Sequence, residues 1–265
     1  MLYLLNKNLS KVLRVLLLLL LLGSFPLSSE KPLKVFISWP EHDYMPFYGW
    51  DEKKKTFKGI DAEIITLLCA EAKLKFKYVY PKTETRLPRI EVLVRNMADI
   101  SIRSFSITEK RKQYIDFTNP YFYDGLSALV HKKSGITSIE QLKGKKVLAY
   151  VNTTGYKYVK ENKLTPFIIT TSPNVMDSDL VAVKKKLVDA YINDKVYLHT
   201  LTKKSDEVKV LNTYLTTEPW GIGVKKGNTK LLNKLNKALK VNLENKKIEA
   251  IFDKYKIPFR HLNKK

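Results

Sequence analysis

The chain has 265 residues, with 48 Lys+Arg against 26 Asp+Glu and a formal net charge of +22. Apolar residues at 44% and charged residues at 28% describe a globular chain, long enough for one large domain or two ordinary ones, and not a disordered or fibrous one. The single cysteine excludes a disulfide framework and a four-cysteine zinc site.

Only seven of the basic residues are Arg, and the Lys residues are scattered along the chain. Arg is the residue suited to bidentate phosphate and base contacts, so this charge reads as a solvated Lys-rich surface and not as a nucleic-acid interface.

At the start, Lys7, Lys11 and Arg14 precede an apolar run over 15–22, followed by Gly23, Ser24, Pro26 and Ser28. A basic region, a short apolar stretch and small residues in that order predict a cleavable secretory signal over 1–29. The apolar run is shorter than the ~20 residues that span a bilayer. No Cys directly follows it, so a lipid anchor is not expected. Removal of the leader takes three basic residues and no acidic one, leaving a charge of +19. Cys69, beside Leu67, Leu68 and Ala70, reads as a small buried apolar residue.

After the leader, 35–37 reads as a strand and 39–50, rich in Pro and aromatics, as a loop. Residues 51–58 are charged and turn-like. Asp61 is the expected N-cap of a helix that buries Ile64, Ile65, Leu67 and Leu68. Alternation at Phe76, Tyr78 and Tyr80 predicts a strand over 75–80. A short helix over 89–96 and a strand over 99–102 follow. This alternation predicts an α/β domain with a largely parallel sheet.

The pattern then repeats. Strands are predicted at 126–130, 147–151, 167–170 and 188–192. Ser138 with Gln141 three residues later forms a capping box, and Gly144 stops the helix it opens. Helices are expected after Gly155, over 174–186 and after Asp194. A strand at 221–224 and two amphipathic helices, 231–241 and 248–255, close the chain. Two βα arrays imply two lobes.

No HExxH, GxGxxG, Walker A or GxSxG sequence is present, and the four His residues are widely separated. What remains is polar residues at strand ends, where open α/β sheets bind ligands. Residues 104–111 offer hydroxyls, backbone N–H groups and Arg111. Residues 152–155 place Thr154 at a helix start, where free N–H groups bind anions. Asp194 ends an otherwise apolar strand and has two readings, a plain N-cap or a cation site. The first two make an anion site and the third a cation site, which a zwitterion satisfies together.

Several motifs occur in an order that resembles one family. They are Phe57-Lys58-Gly59-Ile60-Asp61, Met97-Ala98-Asp99-Ile100, Ser106-Ile107-Thr108-Glu109-Lys110-Arg111 and Asp116-Phe117-Thr118-Asn119-Pro120-Tyr121. Leu142-Lys143-Gly144-Lys145-Lys146-Val147, Thr153-Thr154-Gly155, Val188-Asp189-Ala190-Tyr191 with Asp194, and Gly221-Ile222-Gly223-Val224-Lys225-Lys226-Gly227 continue the series. Over about residues 32–255 the chain is similar to bacterial extracellular solute-binding proteins of the polar amino-acid type (family 3), the binding components of ABC importers.

The resemblance implies a two-lobed α/β fold of periplasmic binding protein type II, each lobe a mixed, mostly parallel sheet flanked by helices and joined by two hinge strands. Lobe 1 would cover 30–120 and 223–265, and lobe 2 would cover 126–217, with hinges at about 121–125 and 218–222. Arg111 would hold an α-carboxylate, helped by Ser106 and Thr154, and Asp194 would take the α-ammonium. Tyr44 would cover the ligand side chain, Glu41 would line the pocket, and the Ser104 carbonyl would receive the ammonium.

Three departures bear on the ligand. Arg86 stands where the family has a stacking Trp or Phe. Glu41 is longer than the usual Asp, and Arg103 replaces a small residue. Inward Arg86 and Arg103 would favour an acidic group, whereas a dominant Glu41 would favour a basic or polar one. The resemblance further implies a periplasmic monomer that delivers an amino acid to an inner-membrane ABC permease, without cofactor, metal, nucleic acid or catalysis. The competing readings are a cyclohexadienyl (prephenate or arogenate) dehydratase on the same fold, with Glu41 as its acid, and a ligand-sensing module for a chemoreceptor or sensor kinase.

Overall fold

The computed structural model describes residues 31–81, 87–169 and 178–261, with the backbone alone at 166–169. The leader, Arg86 and the first four residues of the helix expected over 174–186 lie outside the described residues; the described part of that helix is α5 (Ser178–Lys184).

The first sheet is made of short strands, each of which contributes at least one apolar residue. Its members are β1 (Leu33–Phe36), β4 (Phe76–Tyr78), β5 (Ile100–Ser101), β6 (Ile115–Phe117) and β14 (Gly223–Lys225), in the order β4-β1-β5-β14-β6. Val35, Phe36, Ile100, Ile115 and Val224 are fully buried. Helix α1 (Ile60–Glu71) lays Ile60, Ile64, Ile65 and Leu68 into this core, the spacing that gives one apolar helical face. Helices α7 (Thr229–Glu244) and α8 (Lys247–Lys254) add Leu231, Leu235, Leu239, Ile248 and Phe252 to the same cluster.

The second sheet has the order β10-β9-β11-β8-β12, from β8 (Leu126–His131), β9 (Lys146–Tyr150), β10 (Thr165–Ile169), β11 (Ala190–Asp194) and β12 (Val208–Val210). Every residue of β8 is buried, as expected of an inner strand covered on both faces. Both sheets are mixed. The parallel pairing expected from the βα alternation is confined to β4–β1–β5 and β10–β9–β11, and the remaining pairs are antiparallel.

Two further strands, β7 (Phe122–Asp124) and β13 (Glu218–Trp220), pair antiparallel with each other, with Glu218 opposite Asp124 and Trp220 opposite Phe122. They lie where the chain passes between the sheets. Trp220 is fully buried, 5.3 Å from the Phe47 ring and 5.1 Å from Phe122. Phe122 stacks on Phe252 at 4.4 Å, and the Tyr123 N–H donates to the Arg260 carbonyl at 2.8 Å, so the chain's end packs along this crossing.

Three local expectations are corrected. Residues 51–58 are not a plain turn. They form most of a hairpin of β2 (Gly49–Asp51) and β3 (Thr56–Lys58), with the Asp51 carboxylate accepting from the Lys53 and Lys54 N–H groups in its turn. The capping box opens only a single 3₁₀ turn, Glu140–Leu142. Gln141 does reach back to the Ser138 N–H at 3.1 Å, but Ser138 does not cap, and Gly144 at φ 75° ends the turn at once. Asp61 does not cap α1 either. Gly59 holds the N-cap position and makes no side-chain cap, while Asp61 turns inward to other partners.

Gly125 sits between β7 and β8, and a Cβ there would lie 1.9 Å from the Thr216 carbonyl oxygen. Backbone atoms cannot give way as a side-chain tip can. Gly125→Ala is expected to destabilise the fold by about 1–3 kcal/mol, read from urea unfolding midpoints at unchanged slope. An unshifted midpoint would mean that the crossing is looser than its close approach implies.

Candidate functional site

The site begins with Asp61, which is fully buried although it is charged. One carboxylate oxygen accepts from the Ser104 N–H at 2.9 Å and the Ser104 hydroxyl at 3.3 Å, and the other accepts from the Tyr121 hydroxyl at 2.9 Å. These bonds hold Ser104 at φ 43°, a left-handed conformation unusual for a residue with a Cβ. The loop after β5 is thereby fixed, and it carries Arg103, Phe105 and Ser106.

Arg111 lies in α3 (Glu109–Lys112), a single turn capped by the Thr108 hydroxyl. Its Nη1 donates to the Ser106 carbonyl at 2.6 Å, and its guanidinium lies 4.9 Å from the Phe105 ring centroid. Ser106 bridges to Trp220 of β13, and its hydroxyl donates to Glu218 Oε2 at 2.5 Å.

The second sheet brings its own residues to the same place. Thr153 caps α4 (Thr154–Glu161), its hydroxyl oxygen accepting from the Tyr156 N–H at 3.1 Å. That leaves the Thr154 hydroxyl directed elsewhere, and it donates to the same Glu218 Oε2 at 3.0 Å. Ser106 and Thr154, expected to share one anion, thus converge on one carboxylate oxygen.

Asp194 ends β11 and precedes α6 (Lys195–Thr202). It occupies the N-cap position, but its side chain caps no N–H, which removes the plain capping reading. Burial, reinforced by the Glu218 and Asp124 carboxylates, holds its carboxyl well above the usual range, while Arg89 and Arg111 pull the other way. Tyr44 is half-buried and stacks on Tyr48 at 5.5 Å and on Tyr197 of α6 at 3.9 Å, so an aromatic pair joins the loop before β2 to α6 beside Asp194.

The structure therefore brings together Arg111, Ser106, Ser104, Thr154, Asp194 and Tyr44. Glu41 is exposed in the turn ahead of Tyr44. Arg86 lies outside the described residues. Arg103 points its Nε at the Tyr48 hydroxyl, 2.7 Å away, with its guanidinium 5.0 Å from that ring.

Sequence reasoning missed three residues. Glu218 was read only as part of a crossing. It is a lone acid in an otherwise apolar Glu-Pro-Trp-Gly stretch, and that was its signal. Tyr197 carried no signal, because an aromatic in a helix is ordinarily core. Arg89 is the first residue of α2 (Arg89–Val94), where a cation opposes the helix dipole. That misfit marks a residue placed for another reason. Its Nη1 donates to the Arg103 carbonyl at 2.5 Å, and its guanidinium lies 4.4 Å from the Phe105 centroid. Burial, with Arg103 and Arg111 close by, lowers its pKa to about 9.

Among the described residues no group of His, Cys, Asp and Glu could hold a metal ion, and no helix is long and apolar enough to cross a membrane.

The profile of the bacterial extracellular solute-binding proteins, family 3, matches residues 39–258. The ABC transporter glutamine-binding protein GlnH of Bacillus subtilis is 33% identical over 204 residues, covering 75% of this chain and 72% of the relative. An L-arginine-binding protein of Pseudomonas aeruginosa is 29% identical over 258 residues, covering 89% of this chain and 95% of the relative. Among solved structures, an ancestral arginine-binding protein bound to arginine superposes with a TM-score of 0.71 at 27% identity, over 85% of this chain and 98% of the other. The chain belongs to the family 3 extracellular solute-binding proteins and has their two-lobed type II fold. That places it among transport-associated binding proteins and not among enzymes.

Burial raises the Asp61 carboxyl to about 6, against its bonds from Tyr121 and Ser104 and the field of Arg89. An acid whose folded pKa is raised binds its proton more tightly in the native state. Its contribution is therefore full below the unfolded value of roughly 4 and is lost as pH rises through about 6. Asp61→Asn keeps an acceptor for the Ser104 N–H and removes the titration. Urea unfolding of the wild type is expected to lose on the order of 3 kcal/mol relative to D61N across that window. Parallel pH profiles would show that Asp61 does not titrate there.

Proposed function

We infer that this protein captures a polar amino acid in the periplasm and presents it to the permease of an ABC importer. Family membership and relatives named for glutamine and arginine binding support the solute class. One observation carries the site: hydroxyls from the loop after β5 and from the start of α4, Ser106 and Thr154, meet at a single carboxylate oxygen, with Arg111 beside them and Asp194 opposite. Two hydroxyls that already grip the Glu218 carboxylate have the spacing to grip a ligand's.

In this reading Arg111 pairs with the α-carboxylate, with Ser106 and Thr154 as hydroxyl donors. A planar guanidinium suits two-pronged contact with a carboxylate. Asp194 takes the α-ammonium together with the Ser104 carbonyl. An ammonium at Asp194 favours its charged form and offsets the repulsion from Glu218 and Asp124. Tyr44, stacked on Tyr197, forms the aromatic wall for the ligand side chain.

Lobe 1 is taken as 30–120 with 223–265, lobe 2 as 126–217, and the hinges as 121–125 and 218–222. Closure turns on β7 and β13, as in hinged binding proteins. The protein acts as a monomer, exported by the leader over 1–29.

Calorimetry with a panel of amino acids tests the reading. Arg111→Ala should weaken the best ligand by about 2–5 kcal/mol, the cost of removing one partner from a desolvated charge pair. Equal affinity in the variant would refute the assignment. Glu218→Ala removes the acceptor that Ser106 and Thr154 share. The expected result is a larger radius of gyration by small-angle X-ray scattering without ligand, reversed by saturating ligand. An unchanged radius would show that Glu218 does not hold the lobes together.

A further inference from the structure

Three guanidiniums crowd one side of the cleft. Arg89 and Arg111 lie against the same Phe105 ring, at 4.4 and 4.9 Å from its centroid, and Arg103 lies 5.0 Å from the Tyr48 centroid. The backbone links them, because Arg89 donates to the Arg103 carbonyl and Arg111 donates to the Ser106 carbonyl. All three are half-buried. Among the described residues, no carboxylate lies within ion-pair distance of any of them.

A guanidinium carries five N–H donors. The bonds described use one in each: Arg89 to Arg103, Arg103 to the Tyr48 hydroxyl, and Arg111 to Ser106. Donors and charge remain in a place where burial weakens the solvation of Arg89 and Arg111. The acids nearby are committed elsewhere. Asp61 lies behind Ser104, with its oxygens taken by Ser104 and Tyr121. Glu218 accepts from Ser106 and Thr154, and Asp194 belongs to the second sheet. A single α-carboxylate at Arg111 gives Arg89 and Arg103 no ion-pair partner of their own, because Asp194, which acts on Arg89 from beyond ion-pair distance, is taken by the α-ammonium.

We propose that Arg89 and Arg103 form a second anion subsite beside Arg111, so that the ligand carries a second carboxylate, as in glutamate or aspartate. This rests on the head-group roles given to Arg111 and Asp194 above and adds the side-chain class. The same cluster acts against other ligands. The guanidinium of arginine would meet three like charges, and the amide of glutamine would leave Arg89 and Arg103 uncompensated.

The experiment is calorimetry on the purified protein, freed of bound solute by unfolding and refolding. The ligands are glutamate, aspartate, glutamine, asparagine, arginine, succinate and glutarate. The expected result is that glutamate or aspartate binds at least tenfold more tightly than its amide and than arginine. Arg89→Gln and Arg103→Gln should each narrow the acid-to-amide ratio at least fivefold, with melting curves checking that each variant folds. If R89Q does not fold, R103Q and the wild-type ratio decide. Glutamine or arginine binding as tightly as glutamate would overturn the subsite and leave the head-group reading intact. Binding of succinate or glutarate without any amino acid would sink the head-group reading and support the second anion subsite. No binding by any member of the panel would overturn both.

Discussion

Two three-residue strands, β7 and β13, hold to each other where the chain passes between its sheets, and the site depends on that pairing. The register sets Glu218 opposite Asp124 and Trp220 opposite Phe122. Trp220 then fills the space beside Phe47 and Phe122. Through Ser106 it also anchors the loop that carries Arg111. A one-residue slip in a strand turns every side chain to the other face. Such a slip here would take Glu218 away from Ser106 and Thr154 and expose Trp220. A short crossing thus governs both the core and the polar contacts between the lobes.

Around that crossing, charge is arranged by burial. Asp194 is a buried acid with Glu218 and Asp124 near it, and its compensating cations, Arg89 and Arg111, lie on α2 and α3. Opposed charges therefore meet there, close to the Tyr44–Tyr197 stack. Buried charge that is incompletely paired is costly in a closed protein and useful in a binding protein, because the ligand supplies the missing partner. The Arg cluster around Phe105 follows the same logic with the opposite sign.

Much of this was legible from residues alone. Apolar periodicity placed α1, α7 and α8, and the alternation of strand and helix implied two sheets. The polar strand ends marked Arg111, Ser106, Thr154 and Asp194 before any contact was known. What was not legible has physical reasons. Asp61 stands at a helix start and looks like a cap, because capping is local, whereas its bonds run to Ser104 and Tyr121. Gln141 completes half of a capping box, yet the segment makes only one 3₁₀ turn before Gly144.

The sequence by itself determined the class of fold and the family, and offered the residue types of the proposed ion-pairing site, because periodicity and motif spacing are properties of neighbours in the chain. Only the tertiary structure decided which of those residues share a cleft. Glu218 meets Ser106 across 112 positions and Thr154 across 64. Arg89 and Arg111 meet on one phenyl ring, and Tyr44 meets Tyr197 of α6. Such contacts arise from the pairing of β7 with β13 and the packing of two sheets, and no local pattern encodes them.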